Sequence, residues 1–471
     1  MSHWPIAPIL IPFAAALLAM LPLGLRRARA VSVASVLLQA LVAAVLVARA
    51  GNGAEVYALG GWPAPFGILL VADLLAALML AVSAVCAVAA LWHALRGWDE
   101  QGANFHALFQ FQLAGINGAF LTGDLFNLFV FFELLLIASY CLLQHGGGSA
   151  RRIAGIHYVV LNLVGSVLFL VAVALTYGAL GTLNLADIAR HVGHATSLQM
   201  PALRAAALLL LVVFALKAAV LPLFFWLPFT YGTAAAPVAA LFVVLSKVGV
   251  YATLRVHGAG YGADAFLAAS VTPWLLVAAL ATVLAGGFGA LASRTLRELA
   301  GYLAIGSSGL LLTAVAIGGE GGFRAAQFYL PGSVLSIAAL FLIADGVAAG
   351  RAGAGDRIGR GPRMRNLGGM AALYGVVAVA AAGLPPLAGF LGKALLMSAA
   401  LEAPGAGWVF AIVLSASLLN LVALARAGSQ IFWHVSKEEA GEPRAPWRTA
   451  RAPAGLLAAA SLALAVIAGP L

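Results

Sequence analysis

The chain alternates between long apolar runs and short polar segments. A helix needs roughly 20 mostly apolar residues to cross the hydrocarbon core of a bilayer. Runs of this length recur along the whole sequence, and the longest polar segment is 350–366. The pattern predicts an all-α membrane protein of about fourteen transmembrane helices, in which 1–471 form a single transmembrane domain. The predicted helices cover 5–25, 31–49, 67–92, 106–122, 124–144, 153–177, 203–223, 234–256, 269–292, 299–317, 324–348, 368–400, 407–433 and 452–470.

Prolines interrupt two of the predicted helices. The seventh contains Leu221-Pro222, and the twelfth contains Leu384 followed by Pro385 and Pro386. A proline inside a helix removes a backbone hydrogen bond and frees a carbonyl. Membrane proteins tolerate such breaks where the backbone is buried in protein or lines a wet cavity. Paired broken helices in two halves of a transporter indicate an ion path, so we expect both breaks to lie beside one.

The composition excludes a soluble protein. Of 471 residues, 63% are hydrophobic and 9% are charged, whereas soluble domains carry about 25% charged residues. The net charge of +10 would suggest a nucleic-acid partner in a soluble protein, but basic residues also collect in the cytoplasmic loops of membrane proteins. We therefore predict the lipid bilayer as a partner and no nucleic acid. Cys86 and Cys141 lie in apolar runs and are predicted to be core residues, without a disulfide.

Arg and Lys are distributed unevenly between the loops. Seventeen follow odd-numbered predicted helices, and five follow even-numbered ones. Positive residues favour the cytoplasmic side. The count therefore predicts that the loops after odd-numbered helices (the odd loops) are cytoplasmic and that both termini lie on the outer side of a bacterial inner membrane. No cleavable signal peptide is expected, since 5–25 is long enough to span.

The lysines are the sharpest signal in the sequence. Four of the 26 basic residues are Lys, and three of these four lie in the apolar segments ALKAAVLP, VLSKVGVY and GFLGKALL. A charge at the bilayer centre costs roughly 2.5–3.5 kcal/mol on insertion scales. A buried Lys can lose its proton, whereas Arg stays protonated. Lys217, Lys247 and Lys393 are therefore candidates for a proton path, and the alternative is that they extend to the membrane interface.

One carboxylic acid also lies within an apolar segment. Glu133 lies in DLFNLFVFFELLLIASY, about nine residues into its predicted helix. A buried carboxylate protonates or seeks a cation, so we expect a buried Lys as its partner; the alternative is a neutral acid hydrogen-bonded to a neighbouring helix. Asp124 is expected to cap the helix, and Asp73 and Asp345 are expected to be structural.

Five segments resemble one family, the D subunit of the multisubunit Mrp-type Na+/H+ antiporter, and the resemblance extends over nearly the whole chain. The family is homologous to the antiporter-like, proton-pumping subunits of respiratory complex I. The segments are LGGWPAPFGILLVADLLAALM (59–79), FQFQLAGINGAFLTGDLFNLFVFFELLLIASY (109–140), ALKAAVLPLFFWLP (215–228), SKVGVY (246–251) and GLPPLAGFLGK (383–393).

The resemblance implies fourteen helices with two inverted five-helix repeats, in which helices 7 and 12 are broken. It assigns 1–105 to the N-terminal helices, 106–256 and 269–433 to the repeats, and 452–470 to the last helix. It also implies a path of Glu133 paired with Lys217, then Lys247 and Lys393. The family usually has a histidine where this chain has Gly332, so we expect water to fill that position and Gly332→His to be tolerated.

Three functions compete. The first is a proton-translocating subunit of a multisubunit antiporter that exchanges Na+ or K+ for H+, which is a secondary transporter and not an enzyme. The second is a pump subunit of a complex I-type NADH-quinone oxidoreductase or a membrane-bound hydrogenase. The third is a structural or assembly protein. No CxxC, P-loop, nucleotide fingerprint or metal-ligand spacing is present in the sequence, so no cofactor and no metal are predicted. The sequence does not distinguish Na+ from K+.

Overall fold

The fold is that of a helical multi-pass membrane protein. A computed structural model describes residues 2–22, 24–364, 367–403, 405–439 and 451–466. Within these ranges, ten helices are long and apolar enough to cross a membrane. The prediction of a helical membrane protein is confirmed, although the described residues also include four short strands. Part of the predicted last helix, 467–470, and the loop residues Arg365, Arg444 and Arg448 lie outside the described residues.

The helices and strands follow one another along the chain with short connections. The α-helices are α1 Ala7–Met20, α2 Leu25–Ala50, α3 Leu74–Ala94, α4 Phe105–Leu121, α5 Leu125–Gln144, α6 Ser149–Leu180, α7 Leu185–Val192, α8 Met200–Lys217, α9 Trp226–Thr233, α10 Ala236–Thr253, α11 Ala265–Ala292, α12 Leu296–Ile317, α13 Gly319–Gly350, α14 Leu367–Ala382, α15 Ala388–Ala400, α16 Ala406–Gly428 and α17 Arg451–Val466. The strands are β1 Glu55–Ala58, β2 Leu69–Ala72, β3 Gly361–Arg363 and β4 Val435–Glu439.

The chain divides into two compact units. In the first unit, which comprises Met1–Ala84, Gly102–Ala218 and Leu245–Val277, α4 packs against α1 and α5, and α6 packs against α8. In the second unit, α13 packs against α12, α15 and α17. The second unit comprises Val85–Gln101, Ala219–Val244 and Ala278–Leu471.

The third predicted helix begins too early. The sequence predicts a helix from residue 67, but β2 pairs antiparallel with β1 there and α3 begins at Leu74. The carboxylate of Asp73 accepts a hydrogen bond of 2.9 Å from the backbone N–H of Ala76, which supplies an acceptor for a free donor at the helix start. Leu69–Ala72 is apolar, and a short apolar run does not distinguish a strand from a helix.

The two predicted interruptions coincide with ends of helices. The predicted seventh helix, 203–223, begins at Met200 and ends at Lys217, and a non-helical segment separates it from α9. The predicted twelfth helix, 368–400, is divided into α14 and α15. Lys217 therefore lies at the end of a helix and not in its middle.

Only one of the two cysteines is a core residue. Cys86 is buried, but Cys141 is exposed, so the prediction for Cys141 is wrong. Cys141 continues a stripe on α5 in which Phe126, Val130 and Ile137 are exposed as well. Residues spaced by three or four positions share one helix face, so Cys141 lies on the outward face of α5.

Candidate functional site

Lys217 is buried at the C-terminal end of α8. Its side chain is 7% exposed, and its Nζ donates a hydrogen bond of 2.9 Å to Oδ1 of Asn162 on α6. The ring of Phe132 lies 5.9 Å from the same nitrogen. The last carbonyls of a helix have no partner in the helix and carry partial negative charge, which stabilises a cation there. The end of α8 is thus an electrostatically suitable place for an ammonium group in an apolar protein.

Glu133 is connected to Lys217 through α6 and not by direct contact. Its Oε1 accepts a hydrogen bond from Oγ of Ser166, and the same hydroxyl lies 3.1 Å from the backbone carbonyl oxygen of Asn162. Across the described part of the chain, no ion pair within 4 Å joins Glu133 to Lys217. In place of the expected direct pair, Ser166 hydrogen-bonds to Glu133 and Asn162 hydrogen-bonds to Lys217.

Lys247 lies inside α10 and its side chain is fully buried, with 0% exposure. Gly249, two residues further along, packs against the end of α8. A Cβ atom at Gly249 would lie 2.7 Å from the backbone nitrogen of Ala218 and 2.9 Å from Cβ of Lys217. Glycine is thus required for this close approach, and the helices that carry Lys217 and Lys247 are in direct contact.

Lys393 lies in the second unit, at the break between α14 and α15. Its Nζ donates hydrogen bonds of 2.7 Å to the carbonyl oxygen of Ala382 and 3.1 Å to Oγ of Ser417. Ala382 is the last residue of α14, so the lysine binds a carbonyl that the break leaves free. Gly383 has a φ of 74°, and a Cβ atom there would lie 2.9 Å from Nζ of Lys393.

The prolines occupy the two breaks. Pro222 lies between α8 and α9, and the backbone N–H of the preceding Leu221 donates a hydrogen bond of 2.9 Å to Oγ1 of Thr282 on α11. Pro385 and Pro386 lie between α14 and α15. Each break is thus followed by a new helix that begins within nine residues of the last one.

Gly332 does not provide the expected space for water on its side-chain face. A Cβ atom at this position of α13 would lie 3.2 Å from Cβ of Ala388, the first residue of α15. Nearby, Gly392 packs even more closely on Tyr329, where a Cβ atom would lie 2.7 Å from the tyrosine Cβ. The close contact between α13 and α15 fills the position, so the expectation of a water-filled gap there is wrong.

We accordingly expect Gly332→His to impair the protein. The imidazole would have to displace Ala388, and overpacking of this kind costs about 1–3 kcal/mol. The double variant Gly332→His/Ala388→Gly removes the contacting methyl group and should recover folded protein. The yield of folded protein after detergent extraction measures both effects. A single variant with wild-type yield and activity would contradict this account.

Two clusters of ion-paired side chains were not predicted from the sequence. The guanidinium group of Arg255 donates hydrogen bonds to both carboxylate oxygens of Asp73. Burial alone would raise the pKa of the Asp73 carboxyl, but the hydrogen bond and charge of Arg255 lower it below its usual value. Asp345 on α13 pairs with Arg297 at 2.9 Å and with His93 at 2.9 Å. These contacts agree with the structural roles expected for both aspartates.

Asn162 and Ser166 are the site residues that the sequence reasoning missed. They lie four positions apart in YVVLNLVGSVLFLV, and this spacing places both side chains on one face of an apolar helix. Polar side chains in such a helix turn toward other helices, which is the signal that could have found them. Among the described residues, no group of three or more His, Cys, Asp or Glu side chains is placed to hold a metal ion.

Comparison with known proteins gives one consistent family. The sequence profile described as "NADH:quinone oxidoreductase/Mrp antiporter, TM" matches residues 122–420. A protein of Rhizobium meliloti (strain 1021), named as the probable D subunit of a K(+)/H(+) antiporter, is 40% identical, over 92% of this chain and 87% of that protein. The D subunit of the Na(+)/H(+) antiporter of Bacillus subtilis (strain 168) is 36% identical, over 98% and 92%.

Solved structures agree with the sequence comparison. A chain of the Mrp complex from Dietzia sp. DQ12-45-1b superposes with a TM-score of 0.87 at 26% identity, over 100% of this chain and 96% of that chain. A chain of respiratory complex I from Thermus thermophilus superposes with a TM-score of 0.83 at 26% identity, over 99% and 96%. The two structures are equally similar in sequence to this chain.

Proposed function

Because this chain belongs to the NADH:quinone oxidoreductase/Mrp antiporter family of membrane subunits, we propose that it is the proton-translocating subunit of a multisubunit monovalent cation/H+ antiporter. The observation that supports this most is the burial of three lysines in apolar helices. Lys217, Lys247 and Lys393 are 7%, 0% and 7% exposed. The antiporter subunits that it resembles are components of secondary transporters, so the chain is a transport subunit and not a catalytic enzyme.

The chemistry of the lysines suits proton transfer. A buried Lys exchanges its proton near neutral pH much more readily than an exposed one, because burial disfavours the charged form. Proton transfer needs groups that both accept and release a proton at the working pH. We propose a path in which Glu133 and Lys217 form one end, Lys247 follows on the helix packed against α8, and Lys393 occupies the second break.

The transported cation is proposed only as Na+ or K+. One relative is named for K+ and the other for Na+, and both are comparably similar to this chain. The pump-subunit alternative rests on the complex I structure, which is no more similar in sequence than the Mrp structure. The 36–40% identity to antiporter D subunits favours the antiporter.

We further propose fourteen membrane crossings. The ten long apolar helices would be joined by α1, α4, the broken α14–α15 pair and α17. In the ranges 106–256 and 269–433 the broken helix is the fourth of five in each case, which supports two equivalent repeats. The excess of basic residues in the odd loops supports cytoplasmic odd loops and outer termini in a bacterial inner membrane.

We expect Lys247→Ala to remove most of the antiport. The substitution deletes the central titratable group, and acid–base groups of this kind contribute about a hundredfold or more to proton transfer, so a loss of at least about tenfold is expected. The measurement is cation-dependent recovery of a pH dye in everted vesicles that contain the whole complex. Thr253→Ala is the matched control, since Thr253 is a buried residue on the same helix whose hydroxyl bonds to Gly249 of that helix.

Thr253→Ala should keep wild-type exchange at equal subunit abundance on an immunoblot. If Lys247→Ala exchanges cations for protons as fast as this control, the proposed path through Lys247 is wrong.

A further inference from the structure

Two uncharged residues on α6 lie between the charges of the first unit. Asn162 is 1% exposed and Ser166 is 7% exposed. Their spacing of four residues stacks them on one helix face. Ser166 hydrogen-bonds to Glu133, and Asn162 hydrogen-bonds to Lys217. We refer to Asn162 and Ser166 together as the α6 bridge.

The carboxamide of Asn162 is hydrogen-bonded at both its oxygen and its nitrogen, which fixes its orientation. Its Oδ1 accepts from Nζ of Lys217 at 2.9 Å, and its Nδ2 donates to the carbonyl oxygen of Tyr158 at 2.7 Å. The hydroxyl of Tyr158 lies 2.9 Å from Oγ of Ser139 on α5. A flipped amide would point two N–H groups at an ammonium group and an oxygen at a carbonyl. The network therefore presents a neutral acceptor to Lys217.

The hydroxyl of Ser166 has one hydrogen and two acceptors. These acceptors are Oε1 of Glu133 and the carbonyl oxygen of Asn162 at 3.1 Å. When Glu133 is ionised, the hydroxyl donates to its carboxylate. When Glu133 is protonated, its own O–H can donate to Oγ, and the Ser166 hydrogen turns to the carbonyl. Ser166 thus satisfies both forms of Glu133 by rotation of one bond.

We propose that Asn162 and Ser166 are positioning residues that hold Glu133 and Lys217 apart, so that Lys217 can release its proton. This inference rests on the proposed function. A carboxylate in contact with a buried ammonium attracts it strongly in a medium of low dielectric constant and would keep it charged. The α6 bridge replaces that contact with neutral acceptors, so Glu133 acts on Lys217 only across the intervening groups.

Other titratable groups lie on the elements that pack near α8. They are Glu133 and Tyr140 on α5, Tyr158 on α6, Lys247 on α10, and His257 in the π-helical extension of α10, whose ring lies 6.0 Å from that of Phe214 on α8. Of these, only Glu133 carries a carboxyl group. A second carboxylate next to Lys217 would therefore change the electrostatic balance directly.

The test is the pH profile of antiport in vesicles that contain the whole complex. Asn162→Asp places a carboxylate in contact with Lys217, which then holds its proton to higher pH. Opposite charges within about 4–6 Å shift proton affinities by one unit or more, so the profile should move by about one unit toward alkaline pH. Ser166→Ala removes the hydroxyl that holds Glu133 on α6, so the carboxylate can approach Lys217 and the profile should also move toward alkaline pH. Ser166→Thr keeps the hydroxyl and should keep the wild-type midpoint.

The matched control is Thr176→Val on the same helix. It removes a buried hydrogen bond to Tyr261 that lies outside the bridge, so the midpoint of the profile should stay unchanged even where the rate differs. If Asn162→Asp does not assemble, the comparison of Ser166→Ala with Ser166→Thr decides the matter.

The outcomes separate this inference from the proposed function. Unshifted profiles for Asn162→Asp and Ser166→Ala, together with inactive Glu133→Gln, would overturn the role of the α6 bridge and leave the antiport path intact. Wild-type exchange by Glu133→Gln and Lys217→Arg would overturn the path itself, and the bridge with it. An alkaline shift in Ser166→Ala that Ser166→Thr lacks supports the inference.

Discussion

Lys217→Arg should reduce cation/proton exchange to the background of vesicles that lack the complex. Arginine keeps the positive charge at the end of α8, where Lys217 is buried and bound to Asn162. It does not keep the ability to release a proton, since deprotonating a free guanidinium at pH 7 costs on the order of 9 kcal/mol. The planar guanidinium also differs in shape from an ammonium group. The dye assay in everted vesicles, over a range of pH, measures the loss.

The opposite substitution, from Arg to Lys at an exposed position, is the matched control. Arg204 lies on the exposed surface of the same helix, and Arg204→Lys should leave exchange unchanged. Lys217→Ala should fail to a similar extent as Lys217→Arg. If Lys217→Arg supports exchange close to that of the wild type, then Lys217 only balances charge and the argument from proton release is wrong.

Glu133→Gln should also abolish exchange while the subunit still inserts and assembles. The amide has nearly the shape of the carboxyl group and can accept the hydrogen bond from Ser166, so the packing of α5 on α6 is retained. The variant removes the carboxyl group that could accept and release a proton, and acid–base groups contribute about a hundredfold or more to proton transfer. Exchange in everted vesicles and subunit abundance on an immunoblot are measured together.

Glu320→Gln provides the control for this variant. Glu320 pairs with Arg324 at 2.6 Å on the surface of α13, where both side chains are more than 70% exposed. Exposed pairs of this kind contribute about 0–1 kcal/mol, so the control should exchange cations normally. Normal exchange by Glu133→Gln at normal abundance would remove Glu133 from the path.

The charged part of the candidate site could be predicted from the sequence because charge is costly in a bilayer. Lys217, Lys247 and Lys393 were identifiable as rare lysines in apolar runs, and their burial agrees with that interpretation. Asn162 and Ser166 were missed, because neutral polar residues are tolerated in membrane helices and give a weak signal. The two residues between Glu133 and Lys217 were therefore not predicted, since the contact between helices depends on packing that the sequence pattern does not contain.

Local structure was predictable where an apolar run is long enough to span the membrane. Long apolar runs indicated the spanning helices, but the sequence pattern placed the hairpin of β1 and β2 partly in a helix because Leu69–Ala72 is short and apolar. The role of Gly332 was misjudged for a different reason. A glycine in a sequence does not indicate whether the missing side chain leaves water or admits a neighbouring helix, and here Ala388 occupies the place.

The two acceptors of Lys393 have a consequence for the kinetics of transfer. The carbonyl oxygen of Ala382 and the hydroxyl of Ser417 accept two hydrogens from the side chain, and a neutral amine still has two to give. Loss of the proton therefore changes the charge without leaving either acceptor unsatisfied. Neither the α14 end nor the side chain then has to move to keep these two hydrogen bonds. At this break, Lys393 can lose its charge without any change in the backbone, so a rigid broken helix is compatible with rapid turnover.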